Sequence, residues 1–324
     1  FAEAVEALAE ADASVAWCVA QANGCATIAA YLAPAVAREV FGPAGAVLAW
    51  GPPSVGRAVA VAGGYRVSGR WTFASGCRHA TWLGPACPVV APDGTPRRGP
   101  DGRPEIRTLL VPAAQATLED VWQVSGLRGT GSDAFALDGA FVPAERTARQ
   151  AAAERREAGP LYRFPLWSLY AAGFAAVALG IARATLDAFI ALAAAKVPRG
   201  ARGALRRSAV VQAEVARAEA GHRAARAFLH ATLDEAWAAA REGELAARQR
   251  ALLRLAGTDA IHRAARAADR AYQAAGATAI FEGGAFARRF RDIHAVTQQI
   301  QARPAHYEAA GRYFLGLDPD GTAL

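Results

Sequence analysis

The 324-residue sequence has no methionine, a single lysine (Lys196) and four cysteines, which form no Cys-x-x-Cys pair. Because closely spaced cysteines are the usual ligands of structural zinc, their absence argues against a metal site. Cys18 and Cys25 lie two helical turns apart, which is too far for a disulfide on one straight helix. We therefore expect reduced thiols in a buried core, which is typical of a protein of the cytoplasm.

Long, strongly apolar runs and a recognisable signal peptide are also missing. The stretch from Ala171 to Ile181 consists largely of Ala and Gly, and Arg183 closes it. It falls short of the roughly 20 apolar residues that cross a membrane, so we expect no membrane span. The sequence opens on Phe1 inside a helical pattern, from which we expect that residues preceding Phe1 are missing.

The charge is unbalanced, with 36 Lys and Arg against 29 Asp and Glu, a net charge of +7 and a pI of about 9.7. A basic protein of this kind can bind nucleic acid. The arginines, however, are spread over predicted helices and alternate with acidic residues, and no dense basic run with aromatic residues occurs. We therefore expect a solvated surface and no nucleic-acid partner, with a few arginines left to bind an anion such as a cofactor phosphate.

Hydrophobic residues make up 53% of the sequence, enough for a large core, and their spacing changes twice along the chain. Residues 1–42 have helical spacing that stops at Gly42-Pro43. Residues 43–150 contain short alternating runs and a hairpin turn at Gly63-Gly64. The sequence thus predicts an α+β fold of N-terminal helices (1–42), a central antiparallel β-domain (43–150) and a C-terminal four-helix bundle (151–324).

The individual elements follow from periodicity and from Gly and Pro breakers. One N-terminal helix is expected through Val5 and Val19, and a second over Ile28–Phe41. The bundle helices are predicted at Leu166–Ala195, Ala209–Glu242, Leu245–Ala275 and Arg289–Leu315. The strands are predicted at Arg57–Val61, Tyr65–Gly69, Trp82–Val90, Thr108–Val111 and Ala134–Val142.

Three segments, in order along the chain, resemble one enzyme family. They are VSGRWTFASG at 67–76, WQVSGLRGTGSDAFALDGAFVP at 122–143, and Tyr272–Leu317 with RRFRDIH at 288–294. They are similar to the flavin-contact strand, later β-domain strands and C-terminal helices of acyl-CoA dehydrogenases. The resemblance is strongest to the oxygenase components of two-component flavin-dependent monooxygenases, and it implies the acyl-CoA dehydrogenase fold.

The stretch Phe73-Ala74-Ser75-Gly76 is the expected flavin contact. Small residues let a backbone approach a flat ring closely, and a serine hydroxyl can bond to the N5 or O4 edge of a flavin. The resemblance implies that Ser75 does so. Phe73 and Trp71 are expected to pack, and Phe73 is the better candidate of the two for a neighbour of the ring. The alternative is a serine whose hydroxyl only forms hydrogen bonds with the backbone at the end of a strand.

His294 is the expected proton carrier. The resemblance implies that it faces the flavin, and imidazole suits proton transfer to or from an oxygen or a phenolic substrate near neutral pH. A histidine that only satisfies helix packing is the alternative. The resemblance also implies that Arg202 contacts the cofactor phosphates of a neighbouring subunit. Gly276 and Arg289 would belong to the intersubunit flavin site of a homotetramer.

The Gly-rich loop from Gly126 to Ser132 carries two hydroxyl groups and Arg128. No lysine follows it in the frame of a phosphate-binding loop, and strands rather than a helix are predicted after it. We interpret it as a tight loop of the β-domain. For Arg128 we favour a structural role over a role in the site.

One departure from the family favours oxygen chemistry. Many acyl-CoA dehydrogenases carry a glutamate base shortly after the Arg-Asp motif, to remove the α-proton of the thioester. Here Arg291-Asp292 is followed by IHAVTQQ, and the next carboxylate is Glu308. We therefore expect a monooxygenase that uses reduced flavin and O2 to hydroxylate, or to oxidise at N or S, a small organic and chiefly aromatic substrate.

The expected cofactor is reduced FMN, with FAD as the alternative. No Gly-x-Gly-x-x-Gly follows a predicted strand at a helix start, so a separate NAD(P)H:flavin reductase is implied. Two other interpretations stay open. One is an acyl-CoA dehydrogenase or oxidase with FAD and an unlocated base, and the other is a non-catalytic protein that kept the fold.

Overall fold

The computed structural model describes residues 1–52, 56–100 and 102–317 of the chain. They form two compact units. The helical unit comprises Phe1–Ala20, Val124–Gly129 and the chain from Arg163 onward, and the sheet unit comprises Gln21–Gln123 and Thr130–Tyr162. The short loop 124–129 therefore belongs to the helical unit, although sheet residues flank it in sequence. The three-part division at residues 42 and 150 stays a prediction.

Eight α-helices lie in the described part of the chain. They are α1 Ala2–Ala11, α2 Ala13–Ala26, α3 Pro34–Phe41, α4 Leu166–Ala195, α5 Ala209–Glu242, α6 Ala247–Ala275, α7 Ala287–Thr297 and α8 Ala305–Phe314. In the helical unit, α6 packs against both α4 and α5, and α1 lies against α4. A Cβ on Gly180 would lie 2.3 Å from the carbonyl oxygen of Glu6, so α1 can approach α4 only at a glycine.

Helices α4 and α5 begin and end at the predicted residues, and α6 begins two residues later than predicted. The prediction of one helix over Arg289–Leu315 is wrong, because the chain breaks between α7 and α8. In that break the side chain of Gln299 accepts the N–H of Gln301 at 2.8 Å, and Pro304 comes directly before α8. A side-chain acceptor and a proline both favour the start of a new helix.

The N-terminal helices also differ from the prediction. The single helix expected through Val5 and Val19 is divided, because the Asp12 carboxylate accepts the N–H groups of Ser14 and Val15 at 2.8 and 3.1 Å. It caps α2 and so ends α1. The helix expected over Ile28–Phe41 begins only at Pro34, after a tight turn at 27–31, since proline favours the first turn of a helix.

Helix α4 corrects the prediction about apolar runs. It has 30 residues and a stretch of mean hydropathy 1.7, so by length and composition it could cross a membrane. The count of strongly apolar residues fell short because Ala and Gly were taken as too weakly apolar, and the expectation of no membrane span stays a prediction. In the structure, 67% of that stretch is buried, as in the core helix of a folded protein.

The sheet unit contains ten described strands. They are β1 Leu48–Ala49, β2 Arg57–Val61, β3 Gly64–Trp71, β4 Trp82–Leu83, β5 Ala86–Val90, β6 Ile106–Leu109, β7 Val111–Pro112, β8 Thr117–Glu119, β9 Ala134–Pro143 and β10 Thr147–Ala148. The large sheet has the order β10-β6-β5-β2-β3-β9-β8, and β1-β4-β7 form a small sheet. The α+β class is thus confirmed.

The predicted hairpin at Gly63-Gly64 is confirmed, since β2 and β3 pair antiparallel with Val61 opposite Gly64. The prediction of a wholly antiparallel sheet is wrong, because β5 pairs with β2 in parallel. The chain reverses between β3 and β5, so β5 runs in the direction of β2 and occupies its other edge. The single predicted strand Trp82–Val90 is likewise divided into β4 and β5, which belong to different sheets.

The end of β3 is fixed by the core of the sheet unit. Trp71 is fully buried and stacks on Phe135 of β9, with ring centroids 5.2 Å apart. Its indole N–H donates to the carbonyl of Ala86 at 3.4 Å. A Cβ on Gly56 would lie 2.2 Å from the indole ring, so the chain passes directly over it. The residues that follow Trp71 therefore start from a rigid point.

Candidate functional site

The segment after β3 is a tight turn. Phe73 has a φ of +55° and is 60% exposed, whereas Ala74 is fully buried. The backbone N–H groups of Ala74 and Gly76 donate to the carbonyls of Asp133 and Thr130 at 3.1 and 2.9 Å. A positive φ is unfavourable for phenylalanine, and exposure of an apolar ring is a second unfavourable feature at the same residue. Both are typical of a binding site.

Residues 73–76 have the properties that a flavin ring requires. The ring of Phe73 meets Trp122 edge-on, with centroids 5.8 Å apart, and much of it remains accessible. Ala74 and Gly76 add no bulk beside it. Ser75, between them, supplies a hydroxyl group. A flat, largely apolar ring with a polar edge matches an exposed aromatic face next to a hydroxyl, so these residues fit the cofactor.

Ser75 is nearly buried, and its hydroxyl belongs to a chain of hydroxyl groups. Its Oγ lies 2.7 Å from Oγ of Ser132, which lies 2.7 Å from Oγ1 of Thr130. Ser132 and Thr130 are also buried. The sequence singled out Ser75 but assigned no role to the other two hydroxyls, because only the fold brings residues 75 and 132 together.

A buried carboxylate fixes the far side of this turn. Asp133 accepts the N–H groups of Val121 and Trp122, both at 3.0 Å, and it pairs with the guanidinium of Arg78. Burial alone would raise the pKa of this carboxyl. The Arg78 hydrogen bond and the two N–H donors outweigh burial and hold the pKa of Asp133 below its ordinary value. The charged Asp133 carboxylate therefore ties Arg78 to residues 121–122, and the backbone carbonyl of Asp133 holds Ala74.

In the helical unit, His294 of α7 forms a pair with Asp269 of α6. Its Nε2 lies 2.9 Å from Oδ1 of Asp269, and both side chains are partly exposed. Phe290 contacts the imidazole edge-on at 4.5 Å and stacks on Tyr272 at 4.2 Å. The sequence pointed to His294 but not to Asp269, because a carboxylate 25 residues earlier on another helix carries no local signal.

The aspartate of the Arg-Asp motif has a structural task. Asp292 is buried, and its Oδ1 accepts the N–H of Leu127 at 2.6 Å. Leu127 has a φ of +53°, and a Cβ on Gly126 would lie 2.1 Å from the carbonyl oxygen of Arg291. The loop interpreted as part of the β-domain is therefore attached, in its first half, to α7. Arg128 is exposed on that loop.

The residues expected at an intersubunit cofactor site lie in the helical unit. Gly276 follows α6 with a φ of +59°, and Lys196 holds this corner by donating to the Ala275 carbonyl at 2.7 Å. Arg289 donates to the carbonyl of Ala285 at 2.8 Å, and burial lowers the pKa of Arg289. Arg202 is exposed on the loop between α4 and α5.

The cysteines are free thiols in the structure, as predicted, and three of them are buried. Burial raises the pKa of Cys77, and it raises that of Cys87 to about 12. Because the thiolate is the reactive form, neither group is suited to nucleophilic chemistry. The candidate site therefore depends on hydroxyl, imidazole and aromatic groups.

The structure assembles the predicted residues into two groups. Phe73, Ala74, Ser75 and Gly76 form one turn of the sheet unit. His294, Gly276, Arg289 and Arg202 belong to the helical unit, where His294 acquires Asp269 as a partner. Sequence reasoning missed Ser132, Thr130, Asp133 and Asp269. The pattern Thr-Gly-Ser-Asp at 130–133 was the one visible signal for three of them.

Comparison with known proteins identifies the family of this chain. The family model described as acyl-CoA dehydrogenase, C-terminal domain, matches residues 172–304. The indole-3-acetate monooxygenase of Pseudomonas putida is 31% identical over 98% of this chain and 80% of its own length. The oxygenase component of the FADH2-dependent resorcinol hydroxylase of a Rhizobium species is 33% identical over 82% of this chain and 67% of its own.

A solved structure extends the likeness to three dimensions. XiaF from a Streptomyces species, in complex with FADH2 and glycerol, superposes with a TM-score of 0.90 at 26% identity, covering 100% of this chain and 82% of that one. The chain therefore belongs to the acyl-CoA dehydrogenase superfamily, among the oxygenase components of flavin-dependent monooxygenases, and is an oxidoreductase that uses reduced flavin.

Proposed function

We propose that this chain hydroxylates a small aromatic substrate and that the turn from Phe73 to Gly76 holds the flavin ring. The observation that carries the proposal is the strained, exposed Phe73 next to the nearly buried hydroxyl of Ser75. The names of the relatives, which include indole-3-acetate and resorcinol, support an aromatic substrate. Oxidation at a nitrogen or sulfur atom of such a substrate is part of the same proposal.

Bound reduced flavin supplies the two electrons that activate O2. The contribution of the protein lies at the edge of the ring. The Ser75 hydroxyl would form a hydrogen bond to the polar edge of the bound ring, and Phe73 would cover part of the ring and exclude water. Ala74 and Gly76 permit the close approach, because neither carries a side chain larger than a methyl group.

His294 carries a proton in this proposal. The Nε2–H group of His294 donates a hydrogen bond to the Asp269 carboxylate, which leaves the lone pair of the imidazole on Nδ1. Nδ1 can then take a proton from a phenolic hydroxyl, and Asp269 stabilises the imidazolium that results. Asp269 acts through His294 and is a positioning residue.

The desaturation of an acyl-CoA has little support from the described residues. That reaction needs a carboxylate base, and the chain has none between Asp292 and Glu308. The Asp292 carboxylate accepts a hydrogen bond from the N–H of Leu127, and Glu308 is exposed on α8. Neither group is therefore placed as the base, since the buried Asp292 carboxylate is held by the Leu127 N–H and the Glu308 carboxylate is exposed.

The partners follow from membership in the family and from the exposed arginines. A separate NAD(P)H:flavin reductase supplies the reduced flavin, for which we propose FMN, with FAD as the alternative. In a homotetramer, Arg202 binds the phosphate of a neighbouring subunit's cofactor, and Gly276 and Arg289 complete that site. Guanidinium groups suit phosphate because they donate two parallel hydrogen bonds.

We also propose that the protein works in the cytoplasm without a membrane or nucleic-acid partner. The free thiols support the location. The burial of most of the apolar stretch of α4 supports the absence of a membrane contact. The pairing of surface arginines with acidic residues, such as Arg183 with Glu219 and Arg270 with Glu214, supports the absence of a nucleic-acid partner.

Replacement of Ser75 by alanine tests the flavin contact. We expect the product formed per flavin oxidised to fall about tenfold, with the difference released as hydrogen peroxide, because one hydrogen bond at the ring edge is lost. The measurement is a single-turnover assay with pre-reduced flavin, a peroxide assay and product quantification.

Two variants serve as controls for this experiment. Ser75→Thr keeps the hydroxyl and should retain most of the coupling. Ser68→Ala removes a hydroxyl from β3 that accepts the N–H of Gly139 at 2.9 Å, away from the turn, and should leave the coupling unchanged. A Ser75→Ala protein that couples as well as wild type would contradict the role proposed for Ser75.

A further inference from the structure

One region of the helical unit gathers buried polar atoms that lack hydrogen-bond partners among the described residues. They are Oε1 of Gln249, Nε of Arg250, Nε of Arg254 and Nε2 of Gln299. Three belong to the first turns of α6, and the fourth precedes Ile300–Ala302, the segment between α7 and α8 that packs on α6. Three of the four atoms are N–H donors. A buried donor without an acceptor is unfavourable, so this grouping indicates a ligand rich in acceptor atoms.

Arg254 is the most deeply buried cation of this group, at 6% exposure. Its Nη1 donates to Oε1 of Gln301, whereas Nε and Nη2 donate to no described residue. Nε is buried, and Nη2 keeps some contact with solvent. Together Nε and Nη2 form one edge of the guanidinium group, and such an edge binds a carboxylate through two parallel hydrogen bonds.

The charge of Arg254 has no counter-charge in the described part of the chain. Burial lowers the pKa of its guanidinium group, and no acidic residue acts in the opposite direction. Asp259, the next acidic residue along α6, pairs with Arg263 at 2.6 Å. Arg250 lies one turn before Arg254 on the same face and donates only to the carbonyl of Leu245. Two like charges at this spacing repel each other, and an anion bound beside them would offset both the repulsion and the burial.

Charged groups that act on this region from the following segment are also basic. Burial lowers the pKa of His306, and the charges of Arg254 and Arg303 lower it further, against the effect of the Ile300 carbonyl that the imidazole contacts at 2.7 Å. The electrostatic potential here is therefore positive, which favours an anion.

Gln299 supplies a donor whose orientation is fixed. Its Oε1 accepts the N–H of Gln301 at 2.8 Å, which identifies the oxygen of the amide and leaves Nε2 as the donor without a partner. Gln301 is 1% exposed, and its carbonyl accepts the hydroxyl of Thr258 at 2.8 Å. Because Gln301 contacts both Gln299 and Arg254, it holds the two donors on one rigid support.

We propose that Arg254 and Gln299 bind an organic carboxylate. The Nε–Nη2 edge of Arg254 donates two hydrogen bonds to the carboxylate oxygens, and Nε2 of Gln299 donates a third. A carboxylate is planar like the guanidinium edge and accepts several hydrogen bonds, whereas a neutral amide offers one oxygen. The ligand is either an acidic substrate or a separate organic acid, and only the first source rests on the proposed function.

The test measures the binding of phenylacetate by calorimetry and by the shift in unfolding temperature, with and without oxidised FMN. Phenylacetamide is the neutral probe of the same shape, and inorganic phosphate is the competing anion. The variants are Arg254→Met and Gln299→Glu. Arg263→Met is the matched control, because it removes an arginine of α6 that is already paired with Asp259.

We expect wild type to bind phenylacetate about tenfold more tightly than phenylacetamide or phosphate, because the charged oxygens accept two charge-assisted bonds. Arg254→Met should lose this preference. Without a ligand it should unfold at the wild-type temperature or above, because an uncompensated buried charge is removed. Arg263→Met should bind phenylacetate as wild type does.

Gln299→Glu gives a second measurement that does not depend on the folding of Arg254→Met. The glutamate keeps an acceptor for the N–H of Gln301 and adds a carboxylate within the chain. We expect it to raise the unfolding temperature and to weaken the binding of phenylacetate about tenfold, since the site then holds its own anion.

Turnover of resorcinol, a phenol without a carboxylate, distinguishes the two sources of the ligand. Inhibition by phenylacetate that Arg254→Met abolishes would support a carboxylate carried by the substrate. Binding of phenylacetate without inhibition would support a separate acid. The binding measurements need no turnover, so failure of the proposed function would leave them valid.

Three results would overturn the proposal. The first is equal affinity of wild type for phenylacetate and phenylacetamide, and the second is binding of phosphate as tight as that of phenylacetate. The third is unchanged binding of phenylacetate in both Arg254→Met and Gln299→Glu, which would place the acid elsewhere on the protein.

Discussion

Alanine at position 294 should lower the rate of product formation about 100-fold while flavin binding survives. The proposed role of His294 is proton transfer, and loss of a positioned acid–base group typically costs 10²–10⁴ in rate, about 100-fold at the low end. The imidazole forms a hydrogen bond with Asp269, and Phe290 is its one ring contact among the described residues. Its removal should therefore leave the core of the helical unit intact. The measurement is the single-turnover rate of hydroxylation with saturating reduced flavin.

A second variant separates catalysis from packing. Asp269→Asn keeps the size of the side chain but removes the charge that stabilises the imidazolium, so we expect a fall of roughly tenfold. His79→Ala, at an exposed position of the sheet unit, is the matched control and should keep full activity. Wild-type rates in both His294→Ala and Asp269→Asn would show that the pair only connects α6 to α7.

The second large effect concerns stability. Asp133→Ala should lower the free energy of unfolding by about 3 kcal/mol, because two backbone N–H groups and Arg78 lose their buried acceptor. Asp133→Asn keeps an acceptor for the N–H groups and should cost about half as much. The free energies come from chemical denaturation followed by tryptophan fluorescence.

The pH dependence of the stability lost in Asp133→Asn follows from the direction in which the pKa of Asp133 is shifted. The folded pKa of Asp133 is lowered, so its contribution is fully present above the unfolded value of roughly 4 and is lost as pH falls through the folded pKa. The stability difference between wild type and Asp133→Asn should therefore shrink below about pH 4. An increase in that difference with acid would contradict the assigned ion pair.

Asp120→Asn is the matched control for charge. Asp120 also pairs with Arg78, at 3.3 Å, but its side chain is largely exposed. Exposed pairs contribute roughly 0–1 kcal/mol, so the change should be small. Equal losses for Asp120→Asn and Asp133→Asn would mean that the burial of the Asp133 carboxylate and its bonds to two N–H groups do not anchor the turn.

Local patterns predicted the long elements well. The bounds of α4 and α5 follow from apolar periodicity that ends at clear breakers, Pro198–Gly203 and Gly243. The β2–β3 hairpin follows from a two-glycine turn. These features depend on neighbours in sequence, which is why the sequence suffices for them.

Non-local contacts account for what the sequence did not predict. The parallel pairing of β5 with β2 skips the two strands β3 and β4, and the bond from Leu127 to Asp292 spans 165 residues. Of the site, the turn at 73–76 was predicted, but its contacts with Ser132 and Asp133 were not. Their chemistry depends on contacts between segments about 60 residues apart, for which no local periodicity exists.

The central claim is that the chain transfers oxygen from O2 to an aromatic substrate with reduced flavin. Its most direct test is a single turnover with pre-reduced FMN or FAD under ¹⁸O2, using indole-3-acetate, resorcinol and related phenols, followed by mass spectrometry. The account predicts one ¹⁸O atom in the product, and no product when oxidised flavin replaces the reduced form. It would be contradicted by an absence of label together with anaerobic bleaching of bound FAD by an acyl-CoA, which is the signature of a dehydrogenase.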